Sequence, residues 1–267
     1  MLRRFSGHAA AFSRMLVSSD NHLLLVNKPP GQLCQGDRTG DAPLDVLAAE
    51  WLRSQPKPTK YCGMVHRLDR PTSGAMVMAR TSKAAARLAR AFKNRQVGKQ
   101  YLVVVESVGA ETLPVGGSGW LIDALMAPVD QERRAGRMTV KHLVRRDGGA
   151  GGQLPASLLK EAQAKLDQEL GCTWALAALR YEVLWAGGAS SSTSGMSRGT
   201  SLLAVELHTG RRHQIRAQLS ALGLCVANDV KYKGNRVAAL GEGCTLSCTQ
   251  RTLMASFERH IHRRVST

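Results

Sequence analysis

The stretch MVHRLDRPTSG, residues 64–74, sets one carboxylate, Asp69, between Arg67 and Arg70. Asp69 is the only acidic residue from Trp51 to Val105, a window that otherwise carries twelve Lys and Arg. It lies in a loop with Thr72 and Ser73, ahead of an apolar run, Gly74 to Ala79, that reads as a strand. A loop placed by a strand can present a side chain to a cleft. Two readings stand side by side: a structural carboxylate that caps a turn or pairs with Arg67, and a reactive one. Neighbouring cations favour the ionised form, which suits a nucleophile better than a proton donor. Hydrolysis of a glycosidic bond usually takes two carboxylates, and this window offers one, which argues against a hydrolase.

Outward from that loop, the pattern alternates strands and helices. Leu23 to Val26 reads as a short buried strand ended by Pro29, Pro30 and Gly31, and APLDVLAAEWLRS (42–54) reads as a helix. TSKAAARLARAFKN (81–94) is a second helix, with Thr81 or Ser82 as N-cap and Ala85, Leu88 and Phe92 on one face. Its other face carries Lys83, Arg87, Arg90 and Lys93, which fits either a solvated face or one turned to RNA. YLVVV (101–105) and SLLAVEL (201–207) are strands. RRDGGAGGQ (145–153) and AGGASSSTSGMSRG (186–199) are surface loops, and PASLLKEAQAKLDQELG between them is an inserted helix with leucines at helical spacing. Residues 212–222 form a last helix, stopped by Gly223. On it Arg216 borders the stripe of Ile215, Leu219 and Leu222, so it needs an anion, and Asp69 is a candidate. Arg212, near the helix start, is placed for phosphate.

Composition bounds the function. At 267 residues and 43% hydrophobic content the chain can fill a core, and a net charge of +17 attracts polyanions, nucleic acid first among them. Aromatics at 4% disfavour a surface that stacks many bases and leave phosphate and shape reading open. The six cysteines read as free thiols of a reducing compartment. Cys244 and Cys248 with His260 and His262 only faintly suggest zinc, since the His-x-His pair is tighter than finger spacing; no metal is expected. No apolar run approaches the ~18 residues of a membrane span. Residues 1–19 are basic, free of acids and apolar at helical spacing (Leu2, Phe5, Ala9, Phe12, Leu16), as in a mitochondrial presequence or, alternatively, a disordered basic arm.

HRLDRPTSG, then VGKQY, then LHTGRRHQIRAQLSALG closely resemble the RluA-type RNA pseudouridine synthases, whose motifs run H-R-L-D-x-x-T-S-G, K-x-Y and T-G-R-x-H-Q-I-R in that order. VNKPPG and NDVKYKG resemble the family's K-P-x-G and G-D-x-x-Y-G, with Asn228 where Gly is usual. The match spans about residues 20 to 234, and the segment after Gly234 is only weakly similar, at LMASFE.

The resemblance implies an α+β fold, a mixed and largely antiparallel central sheet flanked by helices, in one catalytic domain over 20–260 with insertions near 147–175 and 186–200. It implies an isomerase that detaches uracil from C1′ of an RNA uridine and rejoins it through C5. Asp69 maps onto the nucleophile, Tyr101 onto the residue that walls the uracil and helps remove the C5 proton, and Arg216 onto the nucleophile's partner. Arg67 maps onto the residue filling the gap left in the RNA stack, and His66, Thr72, Arg211 and Arg212 complete the substrate-binding set. A base inside a stacked helix must be flipped out before a carboxylate can reach it, at C6 or at C1′. The isomerisation is redox-neutral and consumes no water, so no cofactor is called for. Tyr101 also has a plain reading, packed in its strand. The expected partner is RNA, rRNA above all, with ribosome-assembly proteins alongside and a monomer when free. The rival is a catalytically silent RNA-binding ribosome-assembly factor of the same fold.

Overall fold

The computed structural model describes residues 7–59, 61–107, 113–127, 137–148, 154–170, 173–187 and 199–232, and the backbone of 246–247. Most of both Gly/Ser tracts, Cys172, Cys244, Cys248, His260, His262 and the LMASFE segment lie outside these residues. The chain divides into two compact units, Met1–Val97 with Ser247–Thr267, and Gly98–Leu246.

The first unit runs α1 (Gly7–Met15), β1 (Leu16–Ser19), β2 (Leu23–Lys28), α2 (Leu44–Ser54), β3 (Gly63–Met64), β4 (Gly74–Ala79) and α3 (Ser82–Lys93). Its antiparallel sheet has the order β1-β2-β4-β3, with Leu23 opposite Ala79 and Lys28 opposite Gly74. Thr81 caps α3 by accepting a hydrogen bond from Ala84 N at 3.1 Å, which answers one of the helix's orphan donors. Leu88 and Ala84 of α3 pack on Val77 and Ala79 of β4, with Ala85 and Phe92 at the margin. The basic amphipathic segment at the start of the chain is, from Gly7 onward, helix and strand. Its stripe of Ala9, Phe12 and Met15 is buried, and the Phe12 ring lies 5.6 Å from that of Trp51 on α2. A stripe that meets a core and one that meets a receptor share the same period.

The second unit runs β5 (Gln100–Ser107), β6 (Ser118–Met126), β7 (Thr139–Asp147), α4 (Ala156–Glu169), β8 (Ala175–Ala186), β9 (Thr200–Leu207), α5 (Gln214–Ser220), β10 (Leu224–Val226) and a 3-10 turn at Val230–Tyr232. Its sheet has the order β10-β5-β9-β8-β6-β7, every pairing antiparallel, and the two-residue strand β11 (Leu246–Ser247) also pairs with β5. Alternation sends Leu121, Leu179 and Val205 to one face, under Ile215 and Leu219 of α5. It sends Trp120, Ile122 and Ala178 to the other, under Leu158, Ala162 and Leu166 of α4. The inserted helix is thus the roof of one sheet face. The sheet is covered on both sides, which is the largely antiparallel α+β arrangement expected.

Candidate functional site

The loop joining β3 to β4 carries Asp69, and its backbone is tied down at several points. The Lys28 side chain is fully buried, and its ammonium donates to the carbonyl oxygens of Pro29 (2.9 Å), Gln32 (2.8 Å) and Arg70 (3.1 Å). Gly31 N donates to the same Arg70 oxygen at 2.9 Å, so the NKPPG turn grips the residue next to Asp69. Burial pushes the Lys28 ammonium down to about 8, against the pull of Cys34 and of the Asp69 carboxylate. The Cys34 thiol donates to Leu68 O at 3.2 Å, and burial pushes its pKa up. Thr72, itself buried, closes the turn by donating its backbone N–H to Asp69 O at 3.0 Å. Gly74 then enters β4 at φ +134°, a backbone state that a side chain resists.

The cations of this loop have different fates. Arg70 turns to a local acidic pair, with Nη2 2.6 Å from Asp41 Oδ2 and Nη1 3.9 Å from Asp37 Oδ2. Arg67 is exposed, while Asp69 is half-buried. His66 accepts a hydrogen bond from Val77 N at 3.0 Å through Nε2, and its ring stacks on Phe92 of α3 with centroids 4.7 Å apart. His66 and Thr72 therefore brace the loop whatever else they touch. Asp69, Arg67, His66 and Thr72 come together on this one loop of the first unit.

Tyr101, Arg211, Arg212 and Arg216 belong to the second unit. Tyr101 is the second residue of β5, opposite Val205, half-buried against the α5-side core. The turn before α5 is welded to β8. Thr209 Oγ1 accepts from Ala178 N at 2.8 Å and donates to Gln214 Oε1 at 2.8 Å, while Gln214 Nε2 donates to Ala178 O at 3.1 Å. Arg211, on the exposed turn, donates through Nε to Leu176 O at 3.0 Å. The last helix is shorter than expected. It starts at Gln214, after His213 at φ +51°, so Arg212 is an exposed turn residue outside it.

Arg216 has an anionic partner within its own unit. It is buried, and its Nε and Nη2 sit 2.6 and 2.8 Å from Asp229 Oδ2 and Oδ1, a bidentate fork. The guanidinium also lies over the Tyr232 ring, 5.1 Å from its centroid. Sequence indicated that this cation needs an anion and offered Asp69 as a candidate; Asp229 is one it did not name, brought to Arg216 by the return of the chain through β10. Asp229 Oδ1 also accepts from the N–H groups of Lys231 (3.1 Å) and Tyr232 (3.2 Å). The signal that could have found it is NDVKY, noticed only as a motif. Asn228, standing where Gly is usual, has φ +59°, a conformation Asn tolerates better than most residues. Two residues along α5, Gln218 donates through Nε2 to the fully buried Asp123 (2.6 Å), whose other oxygen takes a hydrogen bond from His142 Nδ1 (2.7 Å).

Among the described residues no group of His, Cys, Asp and Glu is placed to hold a metal ion, and no helix is long and apolar enough to cross a membrane. A family model described as RNA pseudouridylate synthase matches residues 22–221. Pseudouridylate synthase RPUSD4, mitochondrial, of Bos taurus is 31% identical over 242 residues, covering 86% of this chain and 54% of that protein. Ribosomal large subunit pseudouridine synthase D of Xylella fastidiosa is 27% identical, covering 82% of this chain and 52% of its own length. The chain thus spans about half the length of the curated relatives it matches. Among solved structures, Human RNA Pseudouridylate Synthase Domain Containing 4 shares the fold at TM-score 0.61 and 19% identity, covering 97% of this chain and 95% of that one.

Proposed function

The chain belongs to the RNA pseudouridylate synthase family, and from that premise we propose that it isomerises uridine to pseudouridine in RNA with Asp69 as the nucleophile. The observation that carries the reading is the loop of the first unit. The Asp69 carboxylate sits on a backbone gripped by Lys28, Gly31 and Thr72, which fits a reactive group that must not wander. Asp69 adds to the flipped nucleotide at C6 or at C1′, and the N1 to C1′ bond breaks. The uracil turns, C5 joins C1′, the C5 proton leaves with help from Tyr101, N1 takes up a proton, and the bond to Asp69 is released. Atoms balance with neither water nor redox partner.

The remaining assignments are part of the same proposal. Arg216, its plane set by Asp229 and Tyr232, serves as the ion-pair partner of the nucleophile. Arg67, exposed beside Asp69, fills the gap left by the extruded base. Arg211 and Arg212 meet phosphate, and His66 and Thr72 act on substrate binding through the loop they brace. The target is rRNA, in mitochondria, with ribosome-assembly proteins as partners. The presequence-like composition of residues 1–19 supports the location.

The test is tritium release from C5-labelled uridine RNA by the purified chain. Release is expected, and Asp69→Asn should lower it at least about a thousandfold. No release from mitochondrial rRNA, beside release by a known synthase run in parallel, refutes the catalytic reading. The high charge favours one rival, the silent RNA-binding assembly factor. That factor would keep its cellular function as Asp69→Asn, and the enzyme would lose its product.

A further inference from the structure

We propose that the solvent face of α3 is a binding rail for the backbone of the RNA substrate, an inference that rests on the RNA reading above. Lys83, Arg87 and Arg90 fall within about 60° of arc at 100° per residue, and Lys83 and Arg90 are about 10 Å apart along the axis. Lys93 and Arg95 extend the row, and Lys83, Arg90, Lys93 and Arg95 are all exposed. The helix contains no acid. Among the described residues no ion pair involves Lys83, Arg90, Lys93 or Arg95.

Ordinary surface design does not account for this face. The inserted helix α4 of the same chain shows what a solvated face looks like. There Lys165 meets Glu161 at 2.9 Å, Glu169 meets Lys141 at 2.8 Å, and Gln163 donates to Asp167 at 2.8 Å. The helix dipole favours cations in the last turn, which covers Arg90 and Lys93 but disfavours Lys83 in the first. Arg95, just past the end of α3, is held at φ +56°, where glycine is the relaxed choice. A row of cations in which Lys83, Arg90, Lys93 and Arg95 have no ion-pair partner among the described residues is complementary to a line of phosphates. On the same wheel Phe92 lies opposite Lys83, so its stack on His66, three residues before Asp69, fixes the buried side of α3 to the loop and leaves the cationic side to solvent.

The experiment measures binding of a fluorescein-labelled stem-loop RNA, with a loop uridine, to the full chain across a salt series. Against the parent, K83Q/R90Q/K93Q should bind at least tenfold more weakly near 0.1 M salt, and the slope of log K against log[salt] should shrink by about two units. R145Q/R146Q/K160Q, which removes equal charge from the exposed surface of the second unit, should change affinity less than threefold. R95G should weaken binding while the melting temperature holds or rises, a combination a purely structural role does not give. An unchanged slope in the α3 variant, or equal losses in both triple variants, overturns the rail and leaves the RNA reading standing. A parent that binds no RNA overturns both.

Discussion

Lys28 serves three carbonyl oxygens with one ammonium, so it needs all three of its protons, yet burial pushes it down to about 8. The sign of the consequence follows from proton counting. Between about pH 8 and 10.5 the unfolded chain holds the extra proton, so this residue's contribution to unfolding free energy rises with pH, by up to about 3 kcal/mol. Denaturant titrations at pH 8, 9 and 10 should show that rise in the parent and lack it in Lys28→Met, which should also be destabilised by about 2–4 kcal/mol at pH 7. Removing the charge of Asp229 leaves Arg216 buried without its fork, so Asp229→Asn should cost about 3 kcal/mol in thermal or chemical unfolding. Single residues were unevenly legible. Asp69 stood out because it is isolated among cations, whereas Asp229 did not, because an ion pair between residues thirteen apart is made by a chain reversal no local pattern records. Lys28 gave no sign of its burial, since a lysine beside two prolines reads as solvent.

At the level of elements, what announced itself was what carries local punctuation. β4 spans Gly74–Ala79 as read, and α3 begins after Thr81, because a glycine at φ +134° and a capping hydroxyl set boundaries without help from tertiary contacts. Thr81→Ala should therefore cost about 1 kcal/mol, read as a lower melting temperature. Gly74→Ala should cost more, about 1–2 kcal/mol, by forcing a Cβ into that backbone state. The strands β6 and β8 went unread because they are buried over long runs, β6 from Gly119 to Leu125 without a break, and a strand covered on both faces has no alternation to detect. α5 was read two residues too early, and with a polar margin it does not have, since Gln214 to Leu219 are all buried. Its polar side chains are spent on Asp229, Asp123 and Ala178 O instead of on water.

For the whole molecule, the balance of charge and core decides what the start of the chain does. On the proposed function, a net charge of +17 makes RNA association steep in salt, and the proposed α3 rail would concentrate part of that dependence on one helix. The opening residues share the basic character, but α1 gives its apolar side to the first unit. Phe12 is fully buried, and Phe12→Ala should cost about 3–5 kcal/mol in unfolding experiments. Removal of residues 1–19 would also strip β1 from β2. As long as Phe12 rests against Trp51, that greasy side is hidden from any carrier that would escort the protein across an organelle boundary. Any sorting information in that stretch would be readable only in the newborn or held-open polypeptide, and folding would erase the address.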